Sequence, residues 1–600
     1  MVFGCHRAGL KDVSVTSDTL SAKNTNCTED IDLELLQRQQ ELDNINMENK
    51  SNWIMIRSFL VCGAAFFADA YLMFCSNVIV MIMGYVYYHE APGDERNVVP
   101  NKWSTLVKVA VQVGCLLGQL ILGRLGDKFG RTSVFSMGAI LVIISAVGAS
   151  FSSSTVRGFN AFIFLFIWLV FVGIGVGGDY PLSGAIVSEY ANVSSRGRMM
   201  AAVFSCQGLG NVGASIVAII VLACFKSAIE SDVYMLDYVW RICLGFGAIP
   251  GATTLYWRLT MPESTRFQEE AKRRLAANAA PEPENATLLL KPGMCAATPG
   301  MLPTDDYITA STSSLQKMYS SAQQQRLEEH YDVYEMQPTS STSSRRRLEA
   351  NAEFMQEAVQ TIQPAAASVH ADETFVQYFG QWKHMKVLLG TSISWFAVDV
   401  AFYGINLNSS VVISAIGFSG DVNNGDPYKV LSRNCLGNII INLLGSIPGY
   451  LCTVFTIEKL GRKPIQLFGF AALTVLYIII GFAYHKILDA SNVAFIVLFT
   501  LAQFFQNFGP NVTCFVWPGE VFPTRFRATA HGISAAAGKL GAIVAQAGLM
   551  SLKDRGGPNA FIPHLIEIFA LFTLFGFFVT FWIPETRGKT LEEITGEDEK

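Results

Sequence analysis

The stretch SEYANVSSRGRMMAAVFSCQGLG, residues 188–210, returns in a second version, GEVFPTRFRATAHGISAAAGKLG, at residues 519–541. In the first, Glu189 precedes Arg196 by seven residues and Gly210 follows that arginine by 14; Glu520, Arg527 and Gly541 keep the same two intervals in the second. An acid, a base and a glycine at fixed spacing in two places read as a duplicated unit. Other pairs agree. GRLGDKFGRT (123–132) has a counterpart in EKLGRKP (458–464), and MPESTRF (261–267) in IPETRGKTLEE (583–593).

Around these motifs the chain is apolar. Of its 600 residues 51% are hydrophobic and only 16% charged, which is too apolar for a soluble protein of this length and points to a polytopic membrane protein. The net charge of -5 provides no basic field, so nucleic acid is not a partner. Runs of about 20 apolar residues fall at 58–86, 104–123, 133–151, 159–183, 200–224 and 240–260, and again at 386–413, 434–457, 465–485, 493–517, 529–550 and 561–583. The expected fold is all-α, with twelve transmembrane helices in two pseudo-symmetric bundles of six. The bundles span 53–263 and 381–584, flanked by tails at 1–52 and 585–600.

Between the bundles, residues 264–380 mix Ser, Thr, Gln, Ala, Pro and charge, as in QPTSSTSSRRRLEA, a composition that buries no core and reads as a largely disordered linker. Its Ser/Thr tract beside Arg345, Arg346 and Arg347 is a candidate for kinases. Lys and Arg gather in GRLGDKFGRT, SSRGR, EKLGRKP and PTRFRAT, on the side of the linker and both termini, while the opposite loops hold isolated Arg157, Lys226 and Lys486. The positive-inside rule makes the first side cytoplasmic. The polar first 50 residues contain no secretory signal. Nine cysteines, including Cys62, Cys115, Cys224 and Cys514, lie in or beside apolar runs without metal-ligand spacing, and read as small core residues.

Resemblance now becomes specific. GRLGDKFGR resembles the cytoplasmic signature of the major facilitator superfamily. Within it, GGDYPLSGAIVSEYANVSSRGRMMAAVFSCQG resembles the signature of the phosphate:proton symporters of fungi and plants. SWFAVDVAFYGINLN and NFGPNVTCFVWPGEVFPTRFRATAHGISAAAGKLGA are similar to that family's seventh and its tenth-to-eleventh helix segments. The likeness covers both bundles and neither the linker nor the first 50 residues. It implies import of inorganic phosphate with protons across the plasma membrane by alternating access, without enzymatic activity, cofactor or metal. One departure stands out: many members read DAYDLF in the first helix, where this chain reads DAYLMF, with Leu72 in place of the second acid.

Three acids sit inside apolar runs: Asp69 in FFADAYLMF, Asp179 in GGDYP and Asp399 in WFAVDVAFYGIN. An ionised Asp at mid-membrane costs on the order of 2.5–3.5 kcal/mol on insertion scales, so such residues are candidates for function, here proton carriage. Low dielectric favours a neutral carboxyl and a nearby cation favours the carboxylate, so changing hydration can load and release a proton. A protonated acid can also donate a hydrogen bond to phosphate and repel it once the proton leaves. The resemblance implies that Tyr180, Gln207, Trp395, Asp399, Tyr403 and Asn511 hold phosphate and that Asp69 and Asp179 move protons. Lys539, about ten residues inside a helix of small residues, is an accessory cation for an acid or the substrate.

Arg124, Asp127, Arg131, Glu189, Arg196, Arg198, Glu520, Arg525 and Arg527 lie at cytoplasmic helix ends, where charge pairs can latch the halves together. Glycines in GVGGD, GLGNVG and GKLGA point to close helix approach, since no P-loop Lys-Ser/Thr follows. Two other functions stay open on the residues: a receptor that binds phosphate and signals through the linker, and a porter for another small solute such as a sugar or glycerophosphodiester.

Overall fold

In the computed structural model the apolar runs are helices. The structure describes residues 53–92, 96–153, 160–264, 266–268, 271, 374–423 without 416, 425–557 and 559–595. The tail 1–52 and most of the linker, its candidate kinase sites included, lie outside them, while its last residues form the helix Phe375–Gly380. Residues 1–270 and 374–600 form one unit and 271–373 a second.

Among the described residues eleven helices are long and apolar enough to cross a membrane. They are α1 (Trp53–Tyr87), α2 (Asn101–Phe129), α3 (Arg131–Ser150), α4 (Ala161–Tyr190) and α5 (Arg196–Cys224), then α7 (Trp382–Asn406), α8 (Pro427–Leu460), α9 (Arg462–Phe482), α10 (Asn492–Val521), α11 (Thr524–Leu552) and α12 (Ile562–Trp582). The remaining span, α6, comes in two pieces, Leu236–Phe246 and Ala248–Leu259, joined at Gly247. Two other expected spans are also interrupted. The seventh ends at Asn406 and resumes as Ser409–Ala415, and α10 breaks between Asn507 and Pro510, a proline that cannot supply the helical N–H. Leu72 is buried, and its Cδ2 lies 2.2 Å from where a Cβ on Gly247 would stand, so the side chain fills the notch at the α6 break.

The outer surface carries apolar side chains such as Phe455, Phe482 and Leu571, whereas polar groups turn inward, the arrangement of a protein whose solvent is lipid. Helices in lipid associate through close packing of small residues. On α2, Gly114 and Gly118 face Gly173 and Gly177 of α4; a Cβ on Gly114 would stand 2.1 Å from Val170 O, and one on Gly177 2.3 Å from Cys115 O. The repeated glycines make the repeated contact. Gly210 lets α5 approach α1 at Phe67 O, and Gly541 lets α11 approach α7 at Phe396 O, with Cβ positions at 2.3 and 2.5 Å. Of the nine membrane cysteines, Cys224 is exposed and departs from the core reading.

The turns before α3 and α9 explain the other repeats. Gly130 (φ 103°) and Gly461 (φ 94°) adopt left-handed backbone that favours glycine. Glu263 of MPESTRF then accepts from the backbone N–H of Arg131 and Thr132, both at 3.1 Å, and Glu585 of IPETRGKTLEE accepts from those of Arg462 and Lys463 at 3.1 and 2.8 Å. Each acid satisfies orphan donors at a helix N-terminus and complements its dipole.

Candidate functional site

The core between the two halves holds the first group of residues. Asp399 on α7 is 1% exposed and pairs through Oδ2 with Lys539 Nζ of α11 at 3.3 Å. Lys539 also donates to Tyr403 Oη at 2.6 Å, and its ammonium lies 4.2 and 5.0 Å from the ring centroids of Tyr403 and Tyr180. The Trp395 ring lies 6.4 Å from that of Tyr180 and, with Asp399 Oδ2, packs against the Cβ position of Gly538. Tyr180, Trp395, Asp399, Tyr403 and Lys539 therefore form one buried cluster, built from α4, α7 and α11. Gly538 keeps the floor open, because a Cβ there would stand 2.8 Å from Asp399 Oδ2.

Gln207 and Asn511 sit on a neighbouring wall. Asn511 Nδ2 donates to Tyr450 Oη at 3.0 Å and to Asn507 Oδ1 at 2.8 Å, so the two asparagines of the α10 break act as a pair. Tyr450 packs where a Cβ on Gly208 would stand, beside Gln207, whose Oε1 is buried without a partner among the described residues. Phe66, Phe204 and Phe515 line the space between the walls, with Phe66 edge-on to Tyr180 at 5.0 Å. His531, fully buried between Trp395 and Phe515, has no hydrogen bond to either ring nitrogen among the described residues. Sequence reading missed it. Its signal was a titratable ring eight residues before Lys539 on the same helix.

Asp179 and Asp69 differ sharply. Asp179 is held in a fork by Arg258 of α6, at 2.9 Å from Nη2 to Oδ2 and 3.2 Å from Nη1 to Oδ1. The guanidinium also stacks on Phe135, 4.0 Å from its centroid. Asp69, 2% exposed, lies within electrostatic range of Asp179, Arg258 and Lys539, yet its Oδ2 has no hydrogen-bonding partner among the described residues. Arg258 escaped the sequence reading because it stands near a helix end, where a snorkelling cation is ordinary.

On the face of the termini the halves are joined by two matching charge clusters. Glu189 on α4 accepts from Arg131 of its own half, from Ser264, and from Arg527 of the other half at 2.8 Å. Glu520 on α10 accepts from Arg462 of its own half at 2.7 Å, from Thr586, and from Arg196 of the other half at 3.1 Å. Asp127 lies 3.5 Å from Arg131 and takes the backbone N–H groups of Ala528 and Thr529 at 3.2 and 2.7 Å. Arg124 is exposed and lies outside both clusters, which corrects its placement in the latch; Arg462, quoted in EKLGRKP but not assigned, takes a central place. On the opposite face uncharged groups also join the halves: Asn77 with Ser409 and Ser410 at 2.8 and 3.0 Å, and Tyr85 Oη to Val422 O at 3.0 Å.

Glu189→Gln combined with Glu520→Gln is expected to open the face of the termini. The result is a rise of about tenfold or more, equivalent to about 1.4 kcal/mol, in thiol labelling of Ser188→Cys relative to the parent carrying that cysteine alone. Labelling within twofold of the parent denies the clusters a latching role.

With this geometry in place, the chain can be set against known proteins. It matches a family model described as sugar (and other) transporter over residues 58–298 and 332–597. It is 39% identical to the inorganic phosphate transporter PHO84 of Saccharomyces cerevisiae, over 93% of this chain and 87% of that protein. It is 36% identical to a repressible high-affinity phosphate permease of Neurospora crassa, with 91% and 87% covered. A probable inorganic phosphate transporter 1-4 of Oryza sativa subsp. japonica is 34% identical, with 92% and 93% covered. Among solved structures, the major facilitator superfamily proton:xylose symporter XylE superposes with a TM-score of 0.60 at 18% identity, over 91% of this chain and 99% of that one.

Proposed function

Because the chain belongs to the sugar (and other) transporter family and, within it, to the inorganic phosphate transporters of fungi and plants, we propose that it imports inorganic phosphate together with protons by alternating access. It is a multi-pass transporter of the major facilitator fold, not an enzyme. We place it in the plasma membrane with the termini and linker in the cytoplasm, following the basic loops.

The observation that carries the reading is the buried cluster of Asp399, Lys539, Tyr180, Tyr403 and Trp395 between the two halves, with Gln207 and Asn511 on the adjoining wall. In the unloaded cluster the charge of Lys539 is spent on Asp399. Protonation of Asp399 releases the ammonium toward an incoming oxyanion and turns the carboxyl into a hydrogen-bond donor. The tyrosine hydroxyls, the indole N–H and the two amides supply neutral donors. Loss of the proton toward the cytoplasm restores the Asp399–Lys539 pair and expels the anion. Among the described residues Asp69 has no ion-pair partner, so no bound cation there pre-empts the proton it can carry, whereas the charge of Asp179 is already matched by Arg258. We therefore give Asp69 the part of relaying the proton that Asp399 takes up and releases, and leave Asp179 to hold α4 and α6 together.

Radiolabelled phosphate uptake into proteoliposomes under an inward proton gradient tests the reading. Accumulation above a gradient-free control is expected. Phosphate binding without accumulation makes the protein a receptor, and accumulation of a sugar or glycerophosphodiester in place of phosphate makes it a different porter.

A further inference from the structure

Above the central cluster, on the face opposite the termini, lies a cavity of about 210 Å³. That is several times the roughly 30 Å³ share of one water molecule in the liquid, so it has room for a small hydrated ion. Its lining includes Lys108 of α2, Lys553 just after α11, Ser104, Thr105, Asn408 and Ser410.

Lys108 is the unusual member. It is 7% exposed, and its only hydrogen bond among the described residues is to Asn408 Oδ1 at 2.8 Å, across the junction of the two halves. An ammonium has three donors and no acceptor, so two of them are unused. No described carboxylate pairs with it. The nearest charge that acts on it is Lys553, of the same sign. Lys553 lies 3.4 Å from Asp554 Oδ2, but that carboxylate is also engaged by Asn101 Nδ2 at 2.9 Å and the Asn559 N–H at 3.0 Å, and it does not line the cavity. Lys108, without a counter-ion among the described residues, Lys553 and the hydroxyls of Ser104 and Thr105 give this one cavity the donors that an anion needs.

The cavity is connected inward. Asn408 Nδ2 donates to Gln546 Oε1 at 3.1 Å, Gln546 Nε2 donates to Tyr403 O at 2.7 Å, and Tyr403 Oη accepts from Lys539. Gln546 follows Lys539 by seven residues on α11, which is about 10 Å along a helix. We propose that the cavity around Lys108 is a second oxyanion site, at which inorganic phosphate from the outside is held before it reaches the Asp399–Lys539 centre. The proposal rests on the phosphate-transport reading above and adds a second place for the same ion.

Equilibrium dialysis of radiolabelled inorganic phosphate against the full chain in phosphatidylcholine nanodiscs tests it. Wild type is expected to bind two phosphates, Lys108→Gln one, and Lys108→Arg two. In proteoliposomes Lys108→Gln raises the KM for uptake about tenfold, a change of about 1.4 kcal/mol, and retains the maximal rate. Lys553→Gln, outside the membrane helices, weakens the same phosphate several-fold and serves should Lys108→Gln fail to fold. One phosphate per wild-type chain, or two retained in Lys108→Gln, overturns the second site and leaves the transport reading standing. A wild-type chain that binds none overturns both. Phosphatidic acid added to the nanodiscs is expected to leave both phosphates bound; displacement of the weaker one reassigns the cavity to a lipid headgroup and overturns the proposal.

Discussion

Asp69→Asn is expected to abolish gradient-driven accumulation of phosphate while leaving phosphate exchange across the membrane largely intact. One pH unit is worth about 1.4 kcal/mol per coupled proton, so a gradient of about two units sustains roughly 100-fold accumulation for each proton carried with the phosphate. In Asp69→Asn the ratio falls to about one. Asparagine keeps the shape of the side chain and removes only the titration, so binding and the rocking of the halves persist. The reason lies in the contrast of environments: Asp179 has a forked arginine partner, and Asp69 has a buried oxygen without one. Unchanged accumulation in Asp69→Asn removes Asp69 from the proton path and leaves coupling to Asp399 alone.

Arg258→Leu is expected to be among the most damaging single changes in the N-terminal half. It strands the Asp179 carboxylate in a buried position, and breaking a buried pair from one side costs about 3–5 kcal/mol. The measurement is thermal unfolding in detergent, arranged as a double-mutant cycle with Asp179→Asn. Each single variant loses stability, and the double variant, with no charge left to compensate, recovers most of it. Uptake follows the same course, returning in the double variant because Asp69 still carries the proton. Loss of coupling in a well-folded double variant returns Asp179 to the proton pathway.

These two expectations show where reading the chain succeeded and where it stopped. The duplication was legible because it is a relation between two stretches of the same chain, and Glu189–Arg527 and Glu520–Arg196 sit where the repeat placed them. The helices were legible from apolar length alone. Their interruptions at Gly247 and at Phe508 and Gly509 were not, because a break is tolerated wherever neighbours satisfy the freed backbone groups. Arg258 and Lys108 stayed hidden for a related reason. A lone cation near the end of an apolar run has an ordinary explanation in snorkelling, and only the packing of α6 on α4, or of α2 against the Asn408 turn, shows that its charge points inward. Arg124 was misplaced for the converse reason, since proximity in sequence to Asp127 and Arg131 says nothing about which face of the helix it occupies.

The two clusters on the face of the termini have one more property. Each glutamate takes one arginine from its own half and one from the other, and the exchange is reciprocal: α4 reaches α11 as α10 reaches α5. Reciprocity of this kind defines an isologous contact, the form that a two-fold homodimer makes. The closed face thus has the form of a two-fold dimer interface within one chain, and a lesion in it comes in doses. Losing Glu189 or Glu520 alone removes one of two equivalent clamps and leaves the other intact, so a single substitution is expected to behave as a heterozygote does, with the full phenotype reserved for the pair.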